Sequence, residues 1–226
     1  MKQPKSFEEG MDRLQGLLGQ LQDESTPLAD SVKLYAEAAG LIHYCNTALD
    51  KAKLQDACFQ SALLPNASLR GANLAYANFR YANASGSDFT NASLQGAYLN
   101  RCQLHGAHLL NANLQQVKAQ EASMDGVQAD YADFSFANLP YSWLRRASLK
   151  NAIFHGANLY SAHLERSDLT EADLRSSKLG HSNFNNSKLD KALLDKAFLE
   201  YADLRGADMN YTQFGTAFLD NAKLDK

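Results

Sequence analysis

The sequence predicts a mainly β solenoid over residues 54–226, preceded by an α-helical hairpin over residues 1–53. Three observations predict it. Large apolar residues recur every fifth position, a column of small residues runs in phase with them, and a helical period replaces both before residue 53.

The five-residue columns come first. From Leu54 to Leu224 every fifth residue gives 35 positions with no insertion or deletion; 23 are Leu, 7 Phe and 2 Met, and only Ala84, Ala119 and Ala129 are small. Two residues before each centre, from Ala52 to Ala222, Ala fills 25 of 35 positions, and no other residue there is charged or larger than Val. On an α-helix five steps drift by about 140°, which would wrap the Leu column round the axis. On a flat strand five steps reverse the face each time. The chain must therefore turn once per five residues, always in the same sense.

The turn residues agree. Two positions after the centre, Gly stands at 71, 86, 96, 106, 126, 156 and 206, and Asn at 66, 91, 111, 151, 186 and 221. Both tolerate φ > 0. Pro65 and Pro140 each follow a centre residue directly, where φ near −65° is accommodated.

Runs such as Ala72-Asn73-Leu74-Ala75-Tyr76, Ala157-Asn158-Leu159-Tyr160-Ser161 and Ala202-Asp203-Leu204-Arg205-Gly206 resemble the A-(D/N)-L-X-X motif of pentapeptide repeat proteins, over about residues 52–226. The resemblance implies a right-handed quadrilateral β-helix with four pentapeptides per coil, hence just under nine coils and a rod of about 40 Å. Centre residues would point inward. Ala119 and Ala129 flank Met124, so a locally underfilled core or a departure from the ideal coil is expected there, with Val117 and Val127 compensating.

In the N-terminal segment Phe7, Met11, Leu14, Leu18 and Leu21 step by 4, 3, 4 and 3, an amphipathic helix weakened by Gly10, Gly16 and Gly19. Ser25-Thr26-Pro27 reads as a turn with Pro27 near the start of a second helix. There Leu28, Val32, Tyr35, Ala39, Ile42, Cys45 and Leu49 keep helical spacing.

Ser6-Phe7-Glu8-Glu9, Met11, Leu14, Leu17 and Leu21, followed by Pro27-Leu28-Ala29-Asp30-Ser31-Val32-Lys33-Leu34-Tyr35, Tyr44-Cys45-Asn46 and Leu49-Asp50-Lys51-Ala52, make this segment similar to the small subunit of exodeoxyribonuclease VII. It departs from that family at Glu24-Ser25 and at Ala38, where the family usually has Gly. The resemblance implies a non-catalytic role: Phe7, Met11, Leu14, Leu28, Tyr35 and Ile42 would bind helical parts of a nuclease large subunit. The same residues could instead cap the first coil, because a solenoid needs its open end covered. A second apolar line, Val32, Leu34 and Leu41, could serve a partner or face that coil.

Composition narrows the function classes. Formal net charge is −3 with pI about 6.1, so no global field recruits nucleic acid, and no direct nucleic-acid binding is expected. There is no run of 18 apolar residues, so no membrane association is expected. Three Cys (45, 58, 102) make no disulfide framework, and a reducing cytoplasm is the expected location. The six His lack metal-ligand spacing, and His105 and His108 should face adjacent walls. No nucleophile elbow, P-loop or dinucleotide fingerprint occurs. Cys102 lies in the small buried column. The expectation is a non-enzymatic protein with no cofactor and no metal.

Some pentapeptide repeat proteins mimic DNA and bind gyrase or topoisomerase IV, so a type II topoisomerase is one partner the resemblance implies. Against it, the chain from residue 57 carries 16 acidic and 16 basic residues, and the unbroken period leaves no room for a protruding loop. At the far end, Leu224 is a centre residue, and Phe198 and Phe218 lie twenty apart in slots usually polar. These three are expected to form a homodimer contact through the C-terminal coil, the competing reading being aromatic stacking along one wall. Trp143, also expected to point outward, is a further candidate contact.

Overall fold

The computed structural model describes residues 12, 13, 15–17, 20, 27, 30–38 and 54–225. Over 54–225 one five-residue unit repeats without a break: a bridging residue, a centre residue, a two-residue turn and a small residue. Each bridge pairs residue i with i+20 in parallel, from Cys58↔Asn78 to Asp203↔Lys223. Twenty residues, four pentapeptides, thus make one circuit. The β pairing consists of isolated bridges. A turn every five residues leaves only one position per side in bridge geometry, so no longer strand develops among the described residues.

Accounting for backbone N–H groups explains the motif. In the unit centred on Leu74, the Leu74 and Tyr76 N–H groups donate up the rod to Ser93 O and Gln95 O at 2.7 and 2.8 Å. Ala77 N–H closes the turn on Leu74 O at 3.0 Å, and Asn78 N–H reaches back to Ala57 O at 2.9 Å. One donor, Ala75 N–H, is left over, and Asn73 Oδ1 accepts from it at 3.2 Å. Asp133, Asp173 and Asp203 accept in the same way from Ser135, Arg175 and Arg205. This Asx turn is the physical reason for Asp or Asn where one precedes a centre residue. A second device does the same task from the neighbouring coil: Asp125, Asp130 and Asp190 accept from the N–H of Arg145, Lys150 and Asn210, twenty residues on.

The third residue of the turn takes positive φ, at Gly71 and Asn91 but also at Tyr76, Phe136 and Tyr201. That places the turns in the type II pattern. At one turn of the last coil, after Phe214, positive φ moves to Gly215, and Asp195 Oδ1 receives the N–H of Thr216.

Centre residues from Leu69 to Leu204 are buried, with stacked rings where Phe134 meets Phe154, 4.7 Å apart. In the small column Ser142, Ser167, Ser177 and Ser182 stand in for Ala because each hydroxyl donates to the carbonyl three residues earlier, at 2.5–2.7 Å. Burial pushes the Cys102 thiol up to about 12, so it acts as a small apolar residue. Of the two alternatives expected at Ala119–Ala129, an underfilled core or a departure from the coil, the departure does not occur. The bridges Lys118↔Asn138, Ser123↔Trp143 and Gln128↔Ser148 continue in register, since register is set by the backbone ladder and not by centre volume. Both ends of the rod are less well covered: Leu54, Phe59 and Leu64 at one end, and Met209, Phe214 and Leu219 at the other, are only partly buried.

In the N-terminal segment α1 is described at residues 12, 13, 15–17 and 20, and α2 over residues 30–38. Pro27 O accepts the first bonds of α2 from Asp30 N–H and Ser31 N–H, both at 2.9 Å. Leu17 on α1 packs with Leu34 and Ala38 on α2, and Arg13 pairs with Glu37 at 2.8 Å. Ala38 is 5% exposed in this contact, which favours a small side chain there. Phe7, Met11, Leu14, Leu28, Leu41 and Ile42 lie outside the described residues.

Candidate protein-binding surfaces

The α2 helix divides its apolar residues between two faces. Leu34 and Ala38 turn toward Leu17. Val32 and Tyr35, three residues apart and so on one face, are 63% and 72% exposed. The line Val32–Leu34–Leu41 expected from the sequence is therefore split, with Val32 outside and Leu34 inside. Tyr35, expected at a cap or partner interface, is uncovered. The small cluster of the hairpin is separate from the core of the rod. Among the described residues, nothing shows the hairpin closing over the first coil.

The rod carries four walls of bridging residues. One runs through Asp88, His108, Gln128, Ser148, Asp168, Lys188 and Asp208; another includes Asp133, Ile153, Asp173 and Leu193. A third holds a single acid, Asp203, between Asn183 and Lys223, and the fourth, from Cys58 to Phe218, holds none. At bridging positions no two carboxylates occupy adjacent coils of one wall. Many are also committed to cations: Asp88 to Arg70, Asp125 to Arg145, Asp173 to Arg175 and Asp203 to Arg205, at 2.5–2.8 Å, while Lys150 and Lys188 share Asp168 at 3.6 and 3.7 Å. The hydrogen bond from Arg205 is the main cause that holds Asp203 down at about 2. A DNA mimic needs a continuous acidic face, and none of the four bridging walls makes one.

Aromatic residues gather toward the C-terminal half. Phe198 stacks on Phe218 at 5.0 Å, and both stay 39% and 48% exposed. On the adjoining corner Tyr201 stacks on His181 at 4.9 Å, and Tyr160 meets the other side of that histidine edge-on at 5.3 Å. A shallow cavity of about 330 Å³ lies between Tyr160, Lys178, His181, Phe198 and Tyr201. Leu224 is 47% exposed in the last coil. Trp143 is sandwiched within its wall, on His163 at 4.1 Å and under the Arg145 guanidinium at 4.6 Å.

His105 and His108 face different columns: His105 Nε2 meets Ser123 Oγ at 2.9 Å, and His108 bridges to Asp88 and Gln128. No group of His, Cys, Asp and Glu that could hold a metal occurs among the described residues. Among the same residues no helix is long and apolar enough to cross a membrane.

Comparison with known proteins agrees with both halves. Residues 7–55 match the family model of the exonuclease VII small subunit. The pentapeptide repeats model matches residues 52–91, 67–106, 167–200 and 187–225, and a second pentapeptide repeat region model matches 97–174. The exodeoxyribonuclease 7 small subunit of Neisseria meningitidis is 46% identical over 46 residues, 20% of this chain and 61% of that protein. The corresponding subunit of Desulfitobacterium hafniense is 33% identical over 55 residues, 24% of this chain and 70% of that protein. The chain thus spans about three fifths of the length of its Neisseria relative. Among solved structures, HetL, a pentapeptide repeat protein involved in heterocyst differentiation regulation in Nostoc sp. strain PCC 7120, is 26% identical. The match covers 81% of this chain and 95% of HetL, with a TM-score of 0.43. QnrB1, a plasmid-mediated fluoroquinolone resistance protein, is 19% identical over 64% of this chain and 82% of its own, with a TM-score of 0.44. The repeat models together run unbroken from residue 52 to 225, as do the columns and bridges, and the chain belongs to the pentapeptide repeat proteins.

Proposed function

We propose that this chain is a non-catalytic scaffold: a right-handed rod of just under nine coils that carries a helical hairpin for docking on a protein partner. The partner class is the large subunit of an exodeoxyribonuclease, since residues 7–55 match the small subunit of one. The observation that carries the reading is the open face of α2, where Val32 and Tyr35 are exposed while Leu34 and Ala38 hold the hairpin together. Two such apolar side chains on one helical face suit helix-in-groove docking. A gyrase or topoisomerase IV partner lacks comparable support, because the acids of the bridging walls are interrupted and several acids of the rod are paired with cations.

The test is co-purification of the full-length chain with the exodeoxyribonuclease VII large subunit from the same cells. Val32→Glu/Tyr35→Glu should reduce capture at least about tenfold while leaving the unfolding of the rod unchanged. Undiminished capture would refute the reading. Phe198, Phe218 and Leu224 form a proposed homodimer contact, supported by their exposure and by the stacking of the two rings. A strict monomer by light scattering at high micromolar concentration would remove it. The exposed Cys58 and buried Cys102 are free thiols, which fits a cytoplasmic location.

A further inference from the structure

One corner of the rod departs from its own pattern. At its positive-φ position stand Asn66, Gly86, Gly106, Gly126, Asn186 and Gly206, the residues that tolerate that conformation. The two exceptions are adjacent in the stack: Arg146 (φ 56°) and Arg166 (φ 59°). They lie one coil apart, about 4.8 Å. Both are exposed and form no ion pair among the described residues. Their neighbour Arg145 is already committed, with two nitrogens on the Asp125 carboxylate and its plane over Trp143.

The two arginines line a groove of about 630 Å³ that extends from Asp125 and Gly126 to Asn185 and Asn186. Its remaining charge is Glu165, which is only half satisfied. Oε1 accepts from Asn183 Nδ2 at 2.8 Å and faces His163 Nδ1 at 3.2 Å. Oε2 is buried and has no hydrogen-bond partner. The groove therefore offers two guanidiniums, one coil apart, to an oxyanion.

We propose that Arg146 and Arg166 bind the phosphate of a nucleotide, free or within a DNA strand. A phosphate presents several oxygens to two guanidiniums one coil apart. The choice of a nucleotide over an acidic peptide rests on the reading that the hairpin serves an exodeoxyribonuclease. A net charge near zero removes long-range attraction for nucleic acid, but it leaves a short-range site of two unpaired guanidiniums in place.

The experiment titrates the full-length chain with inorganic phosphate, dAMP, a single-stranded oligonucleotide of about 12 residues and a polyglutamate peptide, at low salt. Arg146→Gly/Arg166→Gly installs the residue this corner uses elsewhere. It should leave the melting transition intact or raised, yet weaken nucleotide binding at least about tenfold. Arg205→Gln, on the same corner but paired with Asp203, should change binding less than twofold. Similar affinity for dAMP and oligonucleotide identifies a free nucleotide as ligand; a salt-sensitive gain of about tenfold for the oligonucleotide identifies the strand. Binding that survives the double variant, falls equally in Arg205→Gln, or appears only with polyglutamate overturns the proposal. Capture of the large subunit, measured in parallel, separates this failure from a failure of the hairpin reading.

Discussion

In the middle of the rod Leu74, Leu94 and Leu114 are at most 1% exposed, each packed between a coil above and a coil below. On α2, Tyr35 is 72% exposed and Val32 63%, although both are as apolar as many core residues. Stacking explains the difference. Every internal coil has two neighbours, so its centre residues are covered by repetition alone. Among the described residues the two helices meet through Leu17, Leu34 and Ala38 and the Arg13–Glu37 pair. Apolar residues left on the outer face of α2 then have no role in holding the hairpin together. The internal coils are thus covered by their own repetition, and α2 retains an open apolar face at Val32 and Tyr35.

Mutations should separate the two regions by size of effect. Phe154→Ala removes a ring stacked at 4.7 Å on Phe134 in a fully buried position. It should destabilise the rod by about 3–5 kcal/mol in denaturant unfolding. Leu17→Ala in the hairpin should leave that transition in place. Ala157→Leu, in the small column at 0% exposure, should cost about 1–3 kcal/mol by overpacking. Asp173→Ala removes the acceptor for Arg175 N–H and the pairing with its guanidinium. Because Arg175 is about half exposed, the expected loss is only about 1 kcal/mol.

A smaller effect concerns pH. Asp203 is held at about 2 in the folded chain, first by Arg205, below its ordinary value near 3.8. Its contribution is fully present above about pH 4 and disappears as pH falls toward 2. Asp203→Asn should therefore flatten the acid dependence of the melting temperature in that window, by about 1 kcal/mol or less. Smallest of all is the stability effect of Val32→Glu/Tyr35→Glu, within about 0.5 kcal/mol, because both side chains are already in solvent.

The rod was legible in the sequence because Leu dominates the centre column and Ala the small column. A period of five excludes both a straight helix and a flat strand, so Leu54 through Leu224 mark the inside with no knowledge of contacts. The Asx role of Asn73 and Asp173 was half visible, as a preference without a reason, until the leftover N–H was found. The cross-coil role of Asp125 and Asp130 escaped, because it links residues twenty apart in slots where other types also occur. The corner arginines escaped for the same reason: Arg146 and Arg166 look ordinary along the chain, and only stacking places them side by side among Gly and Asn. The hairpin carried less information. Its spacing of three and four marked apolar residues but did not say which face was inward. Val32 and Leu34 were grouped together, and the contact with Leu17 separates them.

Hydrogen exchange on the full-length chain, alone and with the exodeoxyribonuclease VII large subunit, tests the central division most directly. The account predicts strong intrinsic protection along the internal coils, fraying at the two ends, and added protection on binding confined to the hairpin around residues 30–38. Added protection on the coils of the rod, with none at Val32 and Tyr35, would contradict it.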